Sequence, residues 1–243
     1  MAEHLGDTEN LGLAHLYLGA VLDKAGRWPE SIAEMNRARG MLGEVRGGSR
    51  AAYLFVARAR PRAEMGRFAE AAADLEQARA RVQKLKGEQS QLRARIDLAE
   101  AEAASYRLDW REALRFARLA RGRNGGAEEN FQARLLEGAA MIETGMVEAG
   151  AAACRDAIRG STEKSLLYVA APGKLALAEA LWRARHTGEA GALAQDALAF
   201  FEPRQIWEAV WRCYRVIGGG NPARTQAAVW RRPTRIQAGS ICG

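Results

Sequence analysis

Met65-Gly66-Arg67-Phe68-Ala69-Glu70-Ala71-Ala72 reads as a turn followed by an aromatic, a glutamate and small residues, and the chain repeats this phrase. Ala25-Gly26-Arg27-Trp28-Pro29-Glu30-Ser31-Ile32 comes before it and Leu108-Asp109-Trp110-Arg111-Glu112-Ala113-Leu114 after it. Weaker copies occupy residues 145–151 and 185–191. Aligned on turn positions 26, 66, 108, 145 and 185, the copies stand 40, 42, 37 and 40 residues apart. A near-constant period of this size marks a stack of like supersecondary units, each too small to bury its own apolar face.

The alignment exposes three columns of small residues. Before each turn come Gly19, Ala59, Ala101, Gly138 and Ala178; after it come Ser31, Ala71, Ala113, Gly150 and Ala190, then Ala38, Ala78, Ala120, Ala157 and Ala197. Small side chains at these offsets let two antiparallel helices approach closely, so each copy reads as a helical hairpin. In the second copy Ala71, Ala72, Leu75, Ala78, Val82 and Leu85 follow the three-and-four spacing of one helical face. Gly26, Gly66 and Gly145 suit the left-handed end of a first helix. Glu30, Glu70, Glu112 and Glu189 fall in the first turn of the second, where negative charge complements the dipole. The 50 alanines and six prolines among 243 residues favour helix throughout.

Composition narrows the function. No apolar run has the roughly 18 to 20 residues of a membrane span, and Glu3, Asp7 and Glu9 precede the first apolar stretch, which reads as cytoplasmic without a secretory leader. Cys154, Cys213 and Cys242 are too scattered for a disulfide framework or a zinc site. Phosphate-loop, dinucleotide and hydrolase motifs are missing, and His4, His15 and His186 have no acid or thiol partner visible in the sequence. The expectation is a chain without catalysis, cofactor or metal. Of the net charge of +7, most sits in residues 204–243, which hold seven arginines against Glu208.

The hairpin phrase and its small columns resemble the tetratricopeptide repeat family over about residues 11–200, in a long-period form similar to sensor and scaffold arms of bacterial signalling proteins. The resemblance implies an all-α, right-handed superhelical solenoid whose first helices line a concave groove for a peptide or partner protein. Projected onto this sequence, the groove columns are Tyr53, Val56, Arg60, Arg95, Glu102, Tyr106, Gln132, Glu179, Trp182 and Arg183. Leu16 and Ala20 stand where the family's carboxylate-gripping members carry Lys and Asn, which argues against capture of a terminal carboxylate. The large apolar residue expected beside the first small column is present as Leu18 and Leu177 but replaced by Arg58, Glu100 and Glu137, so the middle repeats are expected to pack less regularly. Pro61 is expected to kink or shorten its helix.

The resulting division is a flexible 1–10, a solenoid over 11–217 of about five hairpins plus a capping helix, and a basic tail, 218–243, expected to be disordered. In the cap, Trp207, Val210, Trp211, Tyr214 and Ile217 are expected inward, with Glu208, Arg212 and Arg215 outward. The first helix carries Leu11, Leu13, Leu16, Tyr17, Leu18, Val21 and Leu22 almost all round its axis, suggesting missing earlier repeats, a docked partner or self-association. Nucleic-acid binding through the tail, with Trp230 as a stacking platform, is the weaker alternative.

Overall fold

The computed structural model describes residues 2–42, 48–123 and 125–219. Five helical hairpins follow one another: α1 (Ala2–Lys24) with α2 (Trp28–Leu42), α3 (Gly48–Glu64) with α4 (Phe68–Gln83), α5 (Ser90–Tyr106) with α6 (Trp110–Arg121), α7 (Ala127–Glu143) with α8 (Val147–Glu163), and α9 (Leu167–Arg183) with α10 (Thr187–Phe201). A single helix, α11 (Trp207–Ile217), closes the described chain. The first helices α3, α5, α7, α9 and α11 pack side by side to form the inner wall, and the fold is the expected right-handed solenoid.

The turns explain the phrase that announced them. At 26, 66, 108, 145 and 185 the backbone is left-handed, with φ of 73°, 73°, 62°, 96° and 69°. In the first turn the Gly26 amide donates to the Asp23 carbonyl at 3.0 Å and the Arg27 amide to the Leu22 carbonyl at 2.9 Å. The other four turns repeat this doubly bonded ending, which satisfies carbonyls the helix would otherwise leave bare. Leu108 and Arg185 adopt it without glycine's freedom.

All three small columns are buried, and the contact they allow is one of backbone on backbone. A Cβ added at Gly138 would lie 2.6 Å from the Gly150 carbonyl oxygen, and one at Gly150 would lie 2.4 Å from that of Gly138. In the first hairpin Ser31 takes the equivalent place and its hydroxyl donates to the Gly19 carbonyl at 2.8 Å.

Four expectations change. Helix α1 begins at Ala2, inside the stretch 1–10 assigned to a flexible end. Pro61 leaves α3 at seventeen residues, the length of α5, α7 and α9, and the helix ends three residues after it. The cap is rotated from its expected orientation: Ala209, Val210, Cys213 and Val216 face inward, while Trp207 and Trp211 are 52% and 51% exposed. Small Ala209 and Cys213 let α11 sit close against α9 and α10, and Arg212 and Arg215 turn onto Glu179 of α9. Leu18, expected to pack like Leu177, is 47% exposed because among the described residues no further helix covers that side of α1, whereas Leu177 is fully buried. The tail from residue 220, Trp230 included, lies outside the described residues.

The replaced apolar column is filled with ion pairs. Arg58, 1% exposed, makes two hydrogen bonds to Asp74 at 3.0 and 2.6 Å and one to Asn36 at 2.5 Å, while Arg62 adds a third bond to Asp74 at 2.7 Å. Glu100 pairs with Arg79 at 2.8 Å, and Glu137 with Arg118 and Arg121 at 3.1 and 3.2 Å. Each of these partners is reached across a helix contact, so charge fills the column in the middle of the stack where buried Leu177 fills it at the C-terminal end.

Candidate inner-face site

The inner wall has two halves with different contents. Toward the edge where successive hairpins join, Leu13, Leu16, Tyr17, Ser49, Arg50, Tyr53, Arg95 and the segment Glu88, Gln89, Ser90, Gln91 and Leu92 line a trough of about 690 Å³. Tyr17 stands 61% exposed at its rim. Arg95 stacks over the Tyr53 ring at 5.0 Å and pairs with Glu129 at 2.5 Å, so guanidinium and ring hold one another in place. Arg50 is held by Glu9. Leucines, two tyrosines and two arginines in a trough that is otherwise polar are side-chain types common in protein-binding hot spots.

Toward the hairpin turns the wall is a network of charges. Arg60 reaches Asp23 at 2.8 Å and Glu64 at 3.6 Å, and the Tyr106 hydroxyl donates to Glu64. One cation thus serves several acids. Burial pushes Asp23 and Glu64 above the usual carboxylate range against the pull of Arg60. Half-buried Glu102 shares that cation and is pushed by burial from its ordinary 4.5 to about 7. Glu179 shows the opposite balance. Burial works to raise it, but hydrogen bonds from Arg212 at 3.0 and 2.5 Å, together with the charge of Arg212 and Arg215, outweigh burial and hold it low.

The ten projected residues therefore separate. Tyr53 and Arg95 meet in the trough, and Arg60, Glu102 and Tyr106 meet in the charged half. Arg183 pairs with Glu143 and lies 5.8 Å from the Trp110 ring, beside half-buried Trp182. Gln132 makes a long 3.4 Å bond to Glu128. Two assignments to the groove are corrected. Val56 is buried in the core formed by α1 to α5, because its position on α3 turns toward that packing. Glu179 is 6% exposed and anchors α11, because the cap lies over it.

The sequence reading missed Asp23, Glu64 and Arg50, and named Tyr17 and Leu13 as part of an association surface on the first helix rather than of the groove. A signal for some of them was present. Two residues before each turn stand Lys24, Glu64, Tyr106, Glu143 and Arg183, and neighbours in that column bond to one another, Tyr106 to Glu64 and Arg183 to Glu143. Leu13, Tyr53, Arg95 and Gln132 likewise share one column. Reading columns for complementary neighbours, rather than for exposed types, finds both sets.

Among the described residues no helix is long and apolar enough to cross a membrane. No family model and no curated protein matches the sequence. Solved structures with a similar fold include a signal transduction ATPase with a tetratricopeptide repeat sensor from Pyrococcus horikoshii, at 14% identity and TM-score 0.59, covering 88% of this chain and 33% of that one. Aspartyl phosphate phosphatase F from Bacillus subtilis matches at 12% identity and TM-score 0.60, over 90% of this chain and 59% of that one. BtubC from P. vanneervenii matches at 15% and 0.54, over 90% and 96%. This chain thus spans about a third of the ATPase and well over half of the phosphatase; the likeness is one of fold.

Proposed function

We propose that this chain is a non-catalytic interaction scaffold that takes a segment of a partner protein along its inner face, anchored in the trough of Tyr17, Tyr53 and Arg95. The observation that carries the reading is that trough: Leu13, Leu16 and Leu92 beside exposed or stacked aromatics, with hydrogen-bonding groups around them. Tyrosine and arginine supply large contact area at small entropic cost, and the leucines accept apolar side chains of an extended segment. The test is a displayed peptide library panned on the intact chain. Peptides it enriches are expected to lose at least tenfold in affinity for a Tyr17→Ala/Tyr53→Ala variant whose melting by circular dichroism is unchanged. Equal affinity for both forms overturns the assignment.

A ligand-sensing arm of a larger regulator is the second reading, favoured by the fold shared with the repeat sensor of the Pyrococcus ATPase. It differs in its ligand rather than in its site, and a small molecule that raises the melting temperature of the intact chain but not of the double variant would select it. Self-association is a further part of the proposal. Leu11, Leu18 and Val21 form an exposed stripe on α1, and sedimentation showing a dimer that Leu18→Glu disperses would support pairing of two copies.

A further inference from the structure

The two ends of the solenoid meet. The ammonium of Lys24, at the end of α1, lies 5.3 Å from the centre of the Tyr168 ring in α9, a ring itself set edge-on to Phe200 of α10. At the turn that follows, a Cβ built on Gly26 would lie 3.6 Å from Cβ of Glu208 in α11. More than 140 residues of chain therefore bring the first turn back against the last helices. Next to this seam on the inner wall lie Asp23, Arg60, Glu64, Glu102 and Tyr106, and the charges of Arg212 and Glu208 on α11 act on Glu64.

The seam is lightly built. Among the described residues α1 packs along α2 and α3 only, so its meeting with α9 is made through side chains. Lys24 and Tyr168 both remain exposed, which places their attraction in water, where it is weak. By contrast, α11 is fixed to α9 and α10 by buried apolar residues and by the arginines on Glu179. The firm element is the cap and the yielding one is the first hairpin.

We propose that the contact of the Lys24–Arg27 turn with Tyr168 and Glu208 is a closing seam of the coil, and that molecules reaching the charged half of the inner face enter by opening it. This rests on the scaffold reading for its purpose, since the open trough would engage a partner first and the charged half would be reached only as the seam parts.

Both parts can be tested without a partner. Cβ atoms 3.6 Å apart fall within the 3.5 to 4.5 Å span of a disulfide, so a Gly26→Cys/Glu208→Cys chain carrying Cys242→Ser is expected to cross-link within the monomer on mild oxidation. Burial pushes the native Cys154 and Cys213 thiols up to about 12, which keeps them out of the exchange. A Gly40→Cys/Glu208→Cys control should stay reduced. In a separate Glu102→Cys, Cys242→Ser chain, labelling by a bulky maleimide is expected to run at least fivefold faster once Lys24→Ala and Tyr168→Ala are added, with the cooperative melt retained. Lys24→Ala alone replaces the pair if that melt is lost. No cross-link, or equal labelling with and without the seam residues, overturns the proposal. Because neither readout uses a peptide, this failure is distinct from failure of the scaffold reading.

Discussion

The C-terminal block from α7 to α11 and the middle of the coil around α3 to α7 solve one packing problem with different chemistry. In the C-terminal block Leu175, Leu177, Leu181, Ile158 and Val210 join a single continuous apolar core. Around α5 and α6 the apolar contacts fragment into small clusters such as Ala101 with Phe116 and Ala117, and the intervening space holds Asp97, Glu100 and Glu137 with their arginines. Irregularity was expected in the middle and substitution was found. Leucine at position 177 needs no partner, whereas Arg58 at the equivalent place needs Asp74, Asn36 and the neighbouring Arg62 in fixed geometry. The apolar block tolerates small shifts; the ionic middle binds hairpins in one register, and losing one member strands the others.

Loss of a partner in the ionic middle is expected to give the largest effect. Asp74→Ala leaves Arg58 buried and unpaired, which costs about 3–5 kcal/mol, at least as much as the about 2–5 kcal/mol of Leu177→Ala in the apolar block. Urea denaturation compares them. A loss under 1 kcal/mol for Asp74→Ala would mean that the ion pairs decorate the middle rather than hold it.

Next come the small columns, which serve both regions alike. Gly138→Ala places a methyl against the Gly150 carbonyl, and Ala78→Leu overfills a fully buried position; each should cost about 1–3 kcal/mol. If only one region responded, the shared-column account of the hairpin would fail.

The pH dependence sharpens the contrast between carboxylates. Glu102 in the folded chain binds its proton more tightly than in the unfolded chain, so its contribution to stability is greatest below about pH 4.5 and declines as pH rises toward 7. Glu102→Gln should therefore raise the melting temperature at pH 8 by a few degrees, at about 2–4 °C per kcal/mol, and leave it unchanged near pH 4. For Glu179, held low by Arg212, the sign reverses: its contribution is present above its unfolded value and fades as acid is added. Thermal melts across pH 4–8 read both.

The smallest effect belongs to the turns. Leu108→Gly relieves a left-handed leucine in the middle hairpin and should stabilise by about 0.5–1 kcal/mol, net of the freedom glycine adds to the unfolded chain. Gly66→Ala, where glycine already sits at φ 73°, should do the reverse. Calorimetry of the two variants measures the difference.

Five hairpins, their turns and their closest contacts were legible because the cues are local. A left-handed residue ends a helix within one turn, and a column such as Gly138 with Gly150 repeats once per unit. The inner-face residues were legible in part. Tyr53, Arg95, Arg60, Glu102 and Tyr106 were found by column, yet Val56 and Glu179 were misplaced because a column fixes the angle around a helix to within one side chain, and burial changes across that width. The orientation of α11 was misread for the same reason: Trp207 and Trp211 outweigh Ala209 and Cys213 in hydrophobicity, but the small pair permits the closer approach.

The order of residues by itself determined the secondary structure, the hairpin pairing and the period, since each depends on spacings within about forty residues. Tertiary structure alone decided which arginine meets which acid, why Glu102 and Glu179 differ in proton affinity, and that the first turn touches Tyr168 and Glu208. Those depend on the angle at which successive hairpins stack. Small angles, summed over five contacts, set distances that no single repeat encodes.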